Sequence, residues 1–215
     1  MLLKDLRESV IEYALKVIDA GLISSTWGNI SARDPESGLI AITPNGMEYR
    51  KLSPDDIVIV DKNGNIVDSK RKPSSETPMH ALFYRERPEI NGIVHTHSCY
   101  ATAMSTLKKE IPVVLAELGA CVGGPVKVAE YARGGTEEFG QAALRAIGDG
   151  TAVLQQNHGV LAIGKTLNDA LFSAIVVEEA AKIYWLALQV GEPFILPDQE
   201  VKEIHEGFIK TYGQK

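Results

Sequence analysis

The stretch Ile57-Val58-Ile59-Val60-Asp61-Lys62-Asn63-Gly64-Asn65-Ile66-Val67 sets the character of the fold. Four β-branched residues run towards an Asn-Gly pair, which supplies the positive-φ positions that a tight hairpin needs, and Ile66 and Val67 resume beyond it. The spacing therefore predicts two antiparallel strands. Upstream, Leu39 to Thr43 reads as a further strand, reached through a polar, glycine-containing turn at Ser24 to Ser31. The sheet thus opens antiparallel.

Working outward, Leu3, Leu6, Val10, Ile11, Ala14, Val17 and Ile18 recur at helical spacing, and Gly21 follows as a stop. Thr77-Pro78 opens a helix that should run to about Arg87, since proline suits the first turn, where its missing N–H costs nothing. Gly92 to Thr96 reads as a strand, Tyr100 to Leu107 as a helix, and Pro112 to Leu115 and Val126 to Val128 as strands. A helix from Thr136 to about Ile147 follows, then strands at Ala152 to Leu154 and Gly159 to Ile163. Helices over Asn168 to Val190 and Val201 to Tyr212 close the chain. Helices lie among mostly antiparallel strands, without the regular alternation of a nucleotide-binding sheet.

The 215 residues suit one domain spanning 1–215, with no repeat and no linker. Hydrophobic residues at 45% and charged residues at 23% exclude a disordered or collagen-like chain. Twenty-two basic against 28 acidic residues give a net charge of −6. The densest basic run is only Lys70-Arg71-Lys72, so no nucleic-acid partner is expected. The two cysteines, Cys99 and Cys121, are too few for a disulfide scaffold and point to a reducing compartment. Residues 1 to 20 carry charges that include Lys4, Asp5, Arg7, Glu8, Glu12 and Lys16 on an amphipathic pattern, and Glu178, Glu179 and Lys182 interrupt the apolar stretch from Leu171 to Val190. Neither segment reads as a signal or a membrane span, and the expected location is cytoplasmic.

The chemistry concentrates in His95-Thr96-His97. Residues two apart at a strand end share a side, so both imidazoles can hold one metal ion. His158, between Asn157 and Gly159 and flanked by short apolar strands, is the third candidate ligand. His80 lies on a helix of unknown orientation, and His205 in the amphipathic last helix reads as surface or interface. Three histidines leave a coordination position open, as catalytic zinc sites do. Glu76, at a helix entrance, is the partner carboxylate, with ligand, base or helix cap all open to it. Thr26 to Asn29, Thr43 to Gly46, and Ser74 with Ser75 are glycine- and hydroxyl-rich turns that could surround an anion. There is no Walker or dinucleotide motif.

Taken together, Ser-Thr-Trp-Gly-Asn-Ile-Ser at 25–31, Thr-Pro-Asn-Gly at 43–46, Pro-Ser-Ser-Glu at 73–76, His-Thr-His at 95–97 and Gln-Asn-His-Gly at 156–159 resemble the class II aldolase and adducin head-domain family. The likeness runs from about residue 4 to about residue 190 and is strongest to its fuculose-phosphate aldolase branch. It implies a three-layer α-β-α fold, with a mainly antiparallel central sheet of about nine strands flanked by helices. It also implies a homotetramer with active sites at subunit interfaces. On the same ground His95, His97 and His158 bind Zn2+, one per subunit, although imidazoles suit other divalent metals. Glu76 serves as acid/base, and the substrate phosphate is held by Gly28, Asn29, Thr43, Gly46, Ser74 and Ser75, with Thr26 nearby.

The implied reaction is reversible cleavage of a small phosphorylated sugar, L-fuculose 1-phosphate or a related ketose 1-phosphate. The products are dihydroxyacetone phosphate and L-lactaldehyde or a related aldehyde, formed through a metal-stabilised enediolate. One departure stands out. The family tyrosine that protonates the aldehyde oxygen has no match in Ile111 to Glu117, which leaves Glu117 or Tyr131 as stand-ins, and Tyr212 matches a second tyrosine of the C-terminal tail. Rival readings within the family are a methylthioribulose-1-phosphate dehydratase, a sugar-acid phosphate decarboxylase and a ribulose-5-phosphate 4-epimerase, the last carrying aspartate where Glu76 stands. A non-catalytic adducin-like structural module is the reading from a different class.

Overall fold

The computed structural model describes residues 1–211. Its first half runs α1 (Lys4–Asp19), β1 (Asn29–Arg33), β2 (Ile40–Ile42), β3 (Val58–Val60), β4 (Ile66–Asp68), α2 (Thr77–Glu86) and β5 (Gly92–Thr96). The second half runs α3 (Cys99–Thr106), α4 (Ala116–Val122), β6 (Val128–Ala129), α5 (Glu137–Ile147), β7 (Ala152–Gln155), β8 (Gly159–Gly164), α6 (Leu167–Leu188) and α7 (Asp198–Thr211). The eight strands of the described residues form one sheet in the order β4-β3-β2-β1-β5-β8-β7-β6. Only β6 and β7 pair in parallel.

The hairpin forms where the Asn-Gly pair places it. Gly64 takes φ +84°, and the Asp61 carboxylate accepts the backbone N–H groups of Asn63 and Asn65 at 2.8 and 2.9 Å. Strand residues then alternate between two apolar layers, as the pleat requires. Ile30, Ala41, Ile59, Val94 and Val160 face α1, α3, α4 and α6, whereas Ile42, Val58, Ile93, Val153 and Leu161 face α2 and α5. The result is the three-layer α-β-α arrangement, with the sheet covered on both faces.

Two polar devices tie helices to this frame. Arg7 is a buried guanidinium that donates to the carbonyls of Leu2, Pro54 and Ile57 and to the Asp68 carboxylate, which pins α1 across β3 and β4. Glu178 of α6 accepts the N–H groups of Tyr100 and Ala101, both at 2.9 Å. It thereby satisfies donors that the first turn of α3 cannot pair internally.

The structure corrects the sequence reading at several points. Residues 29–31, expected in a turn, belong to the central strand β1; Asn29 and Ser31 look like turn residues but are buried and hydrogen-bonded on the α2 side. Pro112 to Leu115 is not a strand. Pro112 has no N–H to give a ladder, and only the bridge Ile111↔Val126 forms there. Leu115 instead caps the unanticipated helix α4, which ends at Gly123 with φ +82°. The strand expected at 126–128 is shortened and shifted to Val128–Ala129. The described sheet, with eight mostly antiparallel strands, is near the expected count of about nine.

Candidate active site

The ends of β1, β5 and the β7–β8 turn meet the start of α2. Asn29 stands opposite His95 in the β1–β5 register, and His95 stands opposite Leu161 in β5–β8. The β7–β8 turn reverses through Asn157 at φ +55°, which brings His158 back over the sheet. Gly28, at φ +111°, passes so close to β5 that a Cβ would sit 2.7 Å from the His95 carbonyl oxygen. Gly159 is tighter still, since a Cβ there would lie 2.3 Å from the Thr96 carbonyl oxygen and 3.2 Å from the rings of His95 and His97.

These approaches bring the three histidines together. His95 Nδ1 donates to the Val160 carbonyl at 2.9 Å, which leaves its Nε2 facing inward, 3.1 Å from His97 Nε2. The His158 ring stacks against His95 with centroids 5.1 Å apart and meets Phe139 edge-on at 4.8 Å. One ring nitrogen from each histidine lies within 4.8 Å of the others. Burial drives the His95 pKa down, and burial together with His95 and His158 drives that of His97 down to about 3. Both imidazoles are therefore neutral at pH 7, with lone pairs available.

Glu76 lies across this set. Its Oε1 is 2.8 Å from His158 Nε2 and its Oε2 is 3.2 Å from His95 Nε2. Burial alone would raise its pKa, but His95, His158 and the Asn29 amide outweigh burial and hold the carboxyl well below the usual range. The carboxylate points into the cluster and makes no cap hydrogen bond to α2, so the helix-cap role falls away.

The donor set fits a divalent cation. Two nitrogens at ~2.0–2.1 Å from a tetrahedral zinc lie ~3.3 Å apart, close to the 3.1 Å between His95 and His97. The His158 Nε2, for its part, is buried without a hydrogen-bond partner, its approach to Glu76 lying off the hydrogen-bond line. A cation would satisfy that nitrogen.

A cleft of about 320 Å³ opens beside the cluster, lined by Glu76, His97 and His158 together with Thr26, Gly28, Asn29, Gly46, Ser74 and Ser75. Thr43 does not reach it: this residue is fully buried, and its hydroxyl accepts the Ile30 N–H at 3.2 Å. The cleft also holds Trp27, 64% exposed with its ring 6.2 Å from His97, and Pro44 and Asn45, all inside the two turns yet not singled out from the sequence. Glu117 and Tyr131 do not line the cleft, and Tyr212 lies outside the described residues. Lys70 and Arg71 pair with Asp55 and Asp56 and play no part in the cleft. His205, half-buried, is held by the Ala120 carbonyl at 2.7 Å. No helix among the described residues is long and apolar enough to cross a membrane.

Comparison with known proteins identifies the family. Residues 8–185 match the model of the Class II Aldolase and Adducin N-terminal domain family. The 5-deoxy-D-ribulose 1-phosphate aldolase of Bacillus thuringiensis serovar kurstaki is 40% identical over 215 residues, which is 100% of both chains. The 5-methylthioribulose-1-phosphate/5-deoxyribulose-1-phosphate aldolase of Rhodospirillum rubrum is 39% identical over 97% of this chain and 92% of its own. A solved L-fuculose 1-phosphate aldolase superposes with TM-score 0.92 at 40% identity, covering 95% of this chain and 96% of that one. The chain belongs to the class II aldolase and adducin N-terminal domain family, as an enzyme of the aldolase kind.

Proposed function

We propose that this chain cleaves a ketose 1-phosphate reversibly to dihydroxyacetone phosphate and an aldehyde, with one Zn2+ per subunit held by His95, His97 and His158. The observation that carries the reading is the convergence of three imidazoles and a buried carboxylate at one end of a hydroxyl-lined cleft. A bound divalent cation supplies Lewis acidity, withdrawing electron density from the substrate carbonyl as carbon–carbon cleavage develops negative charge beside it. In the cleavage direction the C3–C4 bond breaks, the C4 hydroxyl loses its proton as the aldehyde forms, and C3 gains one. Glu76, ionised at rest and nearly buried at the edge of the cleft, first takes up a proton, in net terms the one the C4 hydroxyl releases, then delivers it to C3 and takes it back in synthesis.

The phosphate falls to the turns opposite the histidines. Gly28 and Gly46 both take positive φ and line the cleft with Ser74 and Ser75. Such turns gather backbone N–H groups around an anion without formal charge. Asn29 and Thr26 complete that wall, whereas Thr43 supports it from behind through Ile30. The relatives named above favour a 5-deoxy or 5-methylthio pentulose 1-phosphate alongside L-fuculose 1-phosphate as substrates to test. A homotetramer with sites at subunit junctions, acting in the cytoplasm, completes the reading. There Tyr131 or Glu117 of a neighbouring subunit serves the aldehyde oxygen, and Tyr212 stands as the second, C-terminal auxiliary residue.

The deciding experiment measures dihydroxyacetone phosphate release from L-fuculose 1-phosphate and from 5-deoxyribulose 1-phosphate, on metal-analysed protein. A Glu76→Gln variant and a chelated sample run beside it. Release that disappears in both controls is the expected result. Metal-replete protein that releases none from either sugar overturns the aldolase reading and turns attention to dehydration and epimerisation of the same substrates.

A further inference from the structure

Behind Glu76 runs a chain of buried polar groups of which the proposed chemistry uses only Asn29. Asn29 Nδ2 donates to Glu76 Oε2 at 2.9 Å, and Asn29 Oδ1 lies 2.5 Å from His80 Nε2. His80 Nδ1 lies 2.6 Å from Ser31 Oγ, and Ser31 Oγ lies 2.9 Å from the Tyr84 hydroxyl. His80 and Ser31 are fully buried, and Tyr84 and Asn29 nearly so. Asn29 and Ser31 come from alternate positions of β1, and Glu76, His80 and Tyr84 from successive turns along one side of α2.

Chemistry fixes the direction of the bonds from Glu76 to Ser31, and the one Tyr84 hydroxyl proton faces both Ser31 Oγ and the Ser31 carbonyl, each at 2.9 Å. An ionised carboxylate only accepts, so the amide of Asn29 must turn its NH2 to Glu76 and its carbonyl to His80. His80 must then carry its proton on Nε2 and accept at Nδ1 from the Ser31 hydroxyl. A reversed Asn29 would set its carbonyl oxygen against the carboxylate. Burial, followed by the field of His95, lowers the His80 pKa to about 3, so the ring is neutral and can donate at one nitrogen while accepting at the other.

We propose that His80 is a positioning residue: its Nε2–H locks the Asn29 amide in the orientation that holds Glu76 Oε2, and so leaves Oε1, 2.8 Å from His158 Nε2, as the oxygen with no amide partner and the one that serves the substrate. The inference deepens the reading of Glu76 as proton carrier and rests on it for its kinetic consequence. Its structural content, a single tautomer of His80, stands independently of any activity. Ser31 and Tyr84 extend the lock by presenting a donor to Nδ1, which explains why a central strand spends two inward positions on polar side chains.

Two measurements test it. In 15N–1H correlation spectra of uniformly labelled wild-type protein at pH 7, with His80 identified by its loss in His80→Gln, the expected pattern is a protonated Nε2 and a bare Nδ1. A protonated Nδ1, or an imidazolium, overturns the proposal whether or not the protein is an aldolase. In steady-state cleavage of 5-deoxyribulose 1-phosphate, His80→Leu is expected to lose about 10- to 100-fold in kcat, the cost typical of a lost outer-shell partner. Its metal content and KM stay near wild type. His80→Gln, whose amide can still donate to Asn29, recovers most of that loss, which a purely structural defect would not allow. A folded His80→Leu enzyme with wild-type kcat sinks the idea. Should His80→Leu fail to fold, the His80→Gln kinetics and the wild-type tautomer decide. Wild-type protein that cleaves no ketose 1-phosphate defeats the aldolase reading alone, and the tautomer then settles the positioning claim.

Discussion

His95 donates from Nδ1 to the Val160 carbonyl at 2.9 Å, so the strand that pairs with β5 also sets the tautomer of the residue that anchors the histidine cluster. The inward Nε2 is held ready before any cation arrives, and the cost of arranging the site is carried by the sheet. Metal binding should therefore stabilise the fold directly. At zinc 100-fold above Kd the gain is ~2.7 kcal/mol, or a rise of about 5–10 °C in Tm for a chain of this size. Calorimetry with and without chelator checks it; His95→Ala should erase the difference, and a Tm indifferent to zinc would rule out the three-histidine site.

Glu76→Gln keeps the shape and the contact with Asn29 but removes the proton carrier. The expected outcome is a loss of about 100- to 10,000-fold in kcat, with metal content and fold intact by elemental analysis and circular dichroism. A variant that turns over normally would assign the proton transfer elsewhere.

Gly159→Ala places a methyl where only hydrogen fits, 2.3 Å from the Thr96 carbonyl oxygen. The backbone of β5 or β8 must move, at a cost of about 1–3 kcal/mol or more. The His95 and His97 rings move with it. Urea unfolding should register the first effect and weaker zinc binding the second; a variant matching wild type in both would show that the approach of β8 to β5 is not what sets the cluster.

Acid should destabilise the metal-free protein in a defined window. His80 titrates at about 3 when folded and near 6.5 when unfolded, so between those values the unfolded chain binds the extra proton. Stability is flat above pH 6.5 and falls below it, by about 1.4 kcal/mol per pH unit for this one buried group. The lowered pKa of Glu76 acts in the same direction below its ordinary value of 4.5. Urea midpoints between pH 8 and 4 provide the measurement, and a profile that rises towards acid contradicts the buried neutral imidazole.

Arg7→Met replaces a 2% exposed guanidinium with an apolar side chain. The carbonyls of Pro54 and Ile57 lose their donor, and each stranded acceptor costs about 1–3 kcal/mol. A destabilisation of at least ~2 kcal/mol is expected in urea, with cleavage kinetics unchanged at temperatures where the variant is folded. A neutral result would mean that water reaches those carbonyls.

Local chemistry wrote much of this into the sequence. The Asn63-Gly64 turn, the helix opening at Thr77-Pro78 and the period-two apolar strands are governed by neighbours a few residues apart. They appear where the local pattern puts them. His95 and His97 were legible for the same reason, as two positions at one strand end. Tertiary structure alone decided the rest. Asn29 and Ser31 read as turn residues because a polar side chain facing a buried layer makes sense only once His80 and Glu76 arrive from α2 to bond it. Arg7 read as one more charge on an amphipathic helix, because its carbonyl partners at 54 and 57 are distant in sequence. Thr43 read as a phosphate contact until the β1–β2 pairing turned its hydroxyl to Ile30. The sequence determined most of the strands, helices and turns, though not the start of β1 or helix α4, and which residues could carry the chemistry. Which polar groups meet, and in which direction their hydrogen bonds run, was decided by the packing of α2 on β1, because burial leaves each donor and acceptor no partner but the one the fold provides.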